Sequence, residues 1–106
     1  KEGAALPIEQ RAAVLIQVLH NKATDNDGKA ALDYKAAEAA LGGSVNRSNI
    51  YRTMDKAEML IDNSDLVRKV KEDKSSAKNT RLTMDLSAGE LPTTVAGKEM
   101  ALTGGS

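Results

Sequence analysis

Ile8, Ala12, Leu15, Ile16 and Leu19 recur at three- and four-residue spacings, which predicts an amphipathic helix over about residues 8–21. Pro7 stands where a first helical turn needs no N–H, and Glu9 suits the positive end of the helix dipole. The run Asn21-Lys22-Ala23-Thr24-Asp25-Asn26-Asp27-Gly28 is polar and turn-forming, and it ends this helix. Residues 29–32 fit either a short extended segment or the start of a second helix. One helix over 29–41 and a shorter one opening after an Asp33 N-cap both satisfy the pattern. Ala36, Ala37, Ala40 and Leu41 give that helix a small-residue face, and Gly42-Gly43 stops it. Ile50, Met54, Ala57 and Ile61 then mark the apolar stripe of a third helix, supported by Leu60, which starts near Asn46 or Arg47. Arg47, Asn49, Arg52, Asp55, Lys56 and Glu58 fall on its other side.

After the polar turn Asn63-Ser64-Asp65 the period changes. Leu66-Val67-Arg68-Lys69-Val70-Lys71 reads as a half-covered strand. Residues 72–79 are polar and rich in Lys and Ser, as an exposed hairpin loop would be. From Thr80 the chain alternates, with Leu82, Met84 and Leu86 facing one way and Arg81, Thr83 and Asp85 the other. Residues 91–95 suggest an edge segment or a turn, and 96–102 a short helix weakened by Gly97. The expected fold is mainly α with a small β-hairpin, in a single domain over 1–106 with flexible ends at about 1–6 and 103–106.

Composition narrows this further. With no Phe, no Trp and two Tyr, the core has to be aliphatic. Cys is absent, which removes disulfides and thiolate metal sites and is compatible with a cytoplasmic setting. No apolar run approaches the ~18 residues of a membrane span, so no membrane association is expected. The chain opens on Lys1 rather than Met, which suggests a piece that was trimmed or cut from something longer. The formal net charge is zero, which counts against a strong nucleic-acid binder. The charge is unevenly spread, however. Residues 1–46 carry net −1, residues 47–81 carry 9 basic and 6 acidic side chains for net +3, and residues 82–106 carry net −2. An anionic partner should therefore meet the middle third.

Catalytic chemistry finds little support. His20 is the single histidine, near the end of the first helix where a cation suits the dipole, and it has no Cys or second His as a metal partner. Asp25-Asn26-Asp27-Gly28 is reminiscent of a calcium loop, yet with Gly28 as its central glycine the first and last ligand positions fall on Ala23 and Tyr34. No Ser–His–Asp order and no phosphate loop is present. The expectation is a protein that is not an enzyme and uses no cofactor and no metal.

The order of elements carries the functional reading. A short helix stops at Gly42-Gly43, a turn follows, and the next helix opens with polar and basic residues before a Lys-rich hairpin. A helix so placed can enter the major groove with its N-terminal end. Arg47 or Arg52 would pair with guanine edges or phosphates, Asn49 with adenine, and Ser48 and Tyr51 with phosphates. The stretches Ala36-Ala37-Glu38-Ala39-Ala40-Leu41-Gly42, Asn46-Arg47-Ser48-Asn49-Ile50-Tyr51-Arg52-Thr53-Met54 and Leu66-Val67-Arg68-Lys69-Val70 resemble bacterial winged helix-turn-helix transcription regulators of the ferric-uptake-regulator and MarR-like kind. The resemblance covers about residues 30–86. It implies Arg47, Ser48, Asn49, Tyr51 and Arg52 as DNA contacts, with Lys74, Lys78 and Arg81 on a wing, and homodimers on inverted repeats of double-stranded DNA, and Asn46 joins the expected site from its place at the start of the helix. The metal-binding His and Cys residues of ferric-uptake regulators are missing, so metal sensing is not implied. The alternative is a protein-interaction module of a larger assembly, in which Asp55, Glu58, Glu72 and Asp73 neutralise the same face.

Overall fold

Pro7, with φ −57° and ψ 154°, holds the extended position ahead of helix α1 (Ile8–Thr24), and its carbonyl accepts from the Arg11 N–H at 3.0 Å. The computed structural model describes residues 7–43, 45–61, 63, 65–71 and 80–100. The ends expected to be flexible and the hairpin loop at 72–79 lie outside the described residues. Helix α1 runs on to Thr24, beyond the end expected near residue 21. Ala23 is fully buried, and that burial carries the helix through the polar run. The Thr24 hydroxyl donates to the Asn21 carbonyl at 2.9 Å. The chain reverses at Gly28, whose φ of +87° favours glycine and whose N–H donates to the Ala23 carbonyl at 2.7 Å.

Residues 29–32 form strand β1 (Lys29–Leu32), which settles the first ambiguity of the pattern. Asp33 then caps a separate helix α2 (Tyr34–Ala40), its carboxylate accepting from the Ala36 N–H at 2.8 Å. The Gly43 N–H donates to the Glu38 carbonyl at 2.9 Å, and Gly42 and Gly43 both take positive φ, closing α2 where glycine was expected to stop it. Helix α3 (Arg47–Leu60) follows, then β2 (Val67–Lys71), β3 (Thr80–Asp85) and a single 3-10 turn at Leu86–Ala88.

Strand β3 is the centre of an antiparallel sheet of order β1-β3-β2. Its register places Leu32 opposite Leu82, and both Ala30 and Val67 opposite Met84. Directly opposed residues share a face. Leu32, Val67, Leu82 and Met84 therefore line one side with the core, while Ala31, Arg68, Val70, Arg81 and Thr83 line the other. Among the described residues the fold is mixed α and β, three helices with a three-stranded sheet, and so richer in sheet than the single hairpin expected.

The core is aliphatic. Leu15, Ile16 and Leu19 of α1 and Ile50 and Met54 of α3 are fully buried beside the inner face of the sheet. Each such side chain contributes roughly 1.5–3 kcal/mol by leaving water. Ala12, Ala13 and Ala57 are also fully buried and keep the surfaces of α1 and α3 low where these helices pack. The helix expected at 96–102 is absent from its described part. Ala96 at φ 53° and Gly97 at φ 81° instead make a two-residue turn between β4 (Thr94–Val95) and β5 (Lys98–Glu99). Two consecutive positive φ values are the mark of a tight hairpin turn, and a helix cannot contain them.

Candidate nucleic-acid interface

The start of α3 is fixed by short-range chemistry. Asn46 is extended, at φ −74° and ψ 166°, and its side-chain oxygen accepts from the Asn49 N–H at 3.0 Å and from the Ser48 hydroxyl at 3.1 Å. Val45 just before the cap and Ile50 four residues after it are both buried in the core cluster, the spacing of a hydrophobic staple. Thr53, absent from the apolar stripe read from sequence, is buried nonetheless. Its hydroxyl donates to the Asn49 carbonyl at 2.6 Å and accepts from Arg11 Nε at 3.4 Å, which ties α3 to α1.

Opposite the buried stripe, Ser48, Arg52, Asp55 and Met59 form an exposed one at spacings of four, three and four. Arg52 makes no hydrogen bond or ion pair with the described residues. Both acids of α3 are engaged by the neighbouring strand. Asp55 pairs with Lys69 Nζ at 2.7 Å, and Glu58 accepts from the Lys69 backbone N–H at 3.0 Å. Lys56 reaches Glu9 of α1 at 3.8 Å. The apolar end of the stripe is Met59, 75% exposed and the one large hydrophobic so exposed among the described residues.

The nine residues expected at the interface are therefore divided. Ser48 and Arg52 lie exposed along one edge of α3, and Asn46 is exposed at its cap. Asn49 is half-buried, with its carbonyl committed to Thr53. Arg47 turns toward α2 instead, its guanidinium 4.9 Å from the centre of the Tyr34 ring. Tyr51 lies behind it, 5.9 Å from Tyr34 with the rings tilted by 43°. Arg81 is opposite Val70, on the outer face of the sheet at the base of the hairpin. Lys74 and Lys78 lie outside the described residues.

Sequence reasoning passed over the surroundings of Arg47. Asp33, Tyr34, Lys35, Arg47 and Tyr51 line a surface notch of about 230 Å³ between the first turns of α2 and α3. The signal for it was the scarcity of aromatics. The chain has two, and both are here, half-buried, rather than filling the core. The Tyr34 hydroxyl donates to Glu38 Oε2 at 3.3 Å, whereas the Tyr51 hydroxyl is buried without a partner among the described residues. His20 is buried as well rather than meeting solvent at the helix end, its Nδ1 without a partner among the described residues. No three His, Cys, Asp or Glu side chains gather to hold a metal among the described residues. Among those residues no helix is long and apolar enough to cross a membrane.

Compared with protein-family models, curated proteins and solved structures, the chain matches none.

Proposed function

We propose that this chain is a winged helix-turn-helix module that binds double-stranded DNA, with α3 as the helix that enters the major groove. The observation that carries this reading is the exposed edge of α3. It presents Ser48 and an Arg52 without a partner among the described residues, beside the exposed cap Asn46, while Asp55 and Glu58 on the same helix are held by Lys69 of β2. The order α1-β1-α2-α3-β2-β3, with β1 joining the sheet beside β3, supports it, because it is how a winged helix is laid out. On this reading residues 72–79, with Lys74 and Lys78, form the wing, and the chain works in the cytoplasm as a homodimer on an inverted repeat, after the manner of MarR-like regulators. It uses no cofactor and is not an enzyme.

A second reading rests on Met59. An apolar side chain 75% exposed at the far end of the same stripe suits a protein partner better than a groove. The two readings separate on charge. In equilibrium binding to duplex DNA, Arg52→Ala is expected to cost about 1–3 kcal/mol, as for a base or phosphate contact. Asp55→Asn is expected to act in the opposite direction and tighten binding, since it removes a negative charge from the groove face. DNA affinities that ignore both substitutions would favour the protein-partner reading.

A further inference from the structure

We propose that the notch between α2 and α3 is a binding site for a small oxyanion, namely inorganic phosphate or a phosphate monoester. This assignment stands apart from the DNA reading, since it concerns the side of α3 that meets Tyr34 of α2 rather than the Arg52 stripe.

The side chains around the notch fit that chemistry. Arg47 is held by the Tyr34 ring at 4.9 Å, and its guanidinium makes no hydrogen bond to the described residues. A guanidinium whose N–H groups are not engaged can give two of them to two oxygens of a carboxylate or phosphate. Lys35 brings a second positive charge to the same rim. Two acids face this region. Glu38 accepts the Tyr34 hydroxyl, and one oxygen of Asp33 is occupied by the Ala36 N–H. The remaining Asp33 lone pairs disfavour an anion without protons but accept from a P–OH group. That selects a phosphate carrying a proton over a carboxylate or a nucleic-acid diester. The volume, about 230 Å³, lies below the ~300 Å³ at which pockets for larger ligands begin, so the occupant is small.

The chain's two tyrosines both line the notch, so ring-selective NMR of ¹³C-tyrosine protein reports on this site alone. Inorganic phosphate, titrated at constant ionic strength, is expected to shift both ring signals saturably. Arg47→Ala is expected to weaken that response about tenfold or more, the loss of a charge-assisted hydrogen bond, with Arg47→Lys recovering only part of it. Acetate in place of phosphate is expected to give a weaker response. A non-saturating shift, a response indifferent to Arg47→Ala, or acetate binding as tightly as phosphate would overturn the assignment. A duplex-DNA arm keeps the two proposals separate. DNA that binds by anisotropy and leaves both the tyrosine signals and the phosphate response unchanged bears out an independent notch. DNA that shifts the rings through Arg47 when free phosphate does not would make the notch part of the DNA interface and overturn a free-phosphate site.

Discussion

Asn46 shows how a single residue can set the position of a functional helix. Its side chain satisfies the Asn49 N–H, which otherwise has no partner in the first turn, and so fixes where α3 begins. Asn46→Ala is expected to lower unfolding free energy by about 1 kcal/mol in urea denaturation, without changing the fold. Asp85 offers a test by pH. The Ser87 hydroxyl, at 2.6 Å, and then the Ser87 N–H, at 3.0 Å, hold its carboxyl below the ordinary carboxylate range, with Lys29 across the strand pair adding to this. A carboxyl depressed in the folded state contributes stability that is present above its unfolded pKa and lost as pH falls through its folded one. Acid titration of stability should therefore show a component at low pH that Asp85→Asn removes, and identical acid profiles would contradict it. The Asp33 cap and the start of α3 near Asn46 were legible in the sequence because capping is decided within three residues. Thr53 was not, because its burial depends on Arg11 in another helix.

Among elements, the same distinction between near and far decides what could be read. The stripe Ile50, Met54, Ala57 and Ile61 announced α3, and all four residues are buried. Strand β1 stayed ambiguous because Lys29-Ala30-Ala31-Leu32 has too little contrast of its own, and it becomes a strand by pairing with β3, about fifty residues away. The C-terminal hairpin was misread as helix because Ala96 has high helix propensity. The turn overrides that preference by placing Ala96 at φ 53°, a conformation that costs an L-residue roughly 1–2 kcal/mol. Asn tolerates that region better and is favoured before Gly in such turns. Ala96→Asn is therefore expected to raise the thermal midpoint, through a stabilisation of up to about 1 kcal/mol. An unchanged or lowered midpoint would contradict the turn.

For the whole molecule, a formal net charge of zero is a poor guide to the surface it presents. The fold draws Asp55 and Glu58 toward Lys69, pairs Glu9 with Lys56, and leaves Arg52 open on the edge of α3. Half of this was readable, since the excess of basic residues in the middle third is a matter of counting. Which acids are occupied depends on how β2 lies beside α3, and no local pattern reports it. The same long-range placement divided the expected site, sending Arg47 and Tyr51 to the notch while Ser48 and Arg52 stayed on the outer edge. The most direct test of the DNA reading is fluorescence anisotropy of a labelled random duplex titrated with the protein at about 50 mM and 200 mM salt. Phosphate contacts release counterions, so the account predicts measurable binding at the lower salt that weakens steeply at the higher. An absence of binding at the lower salt would contradict it.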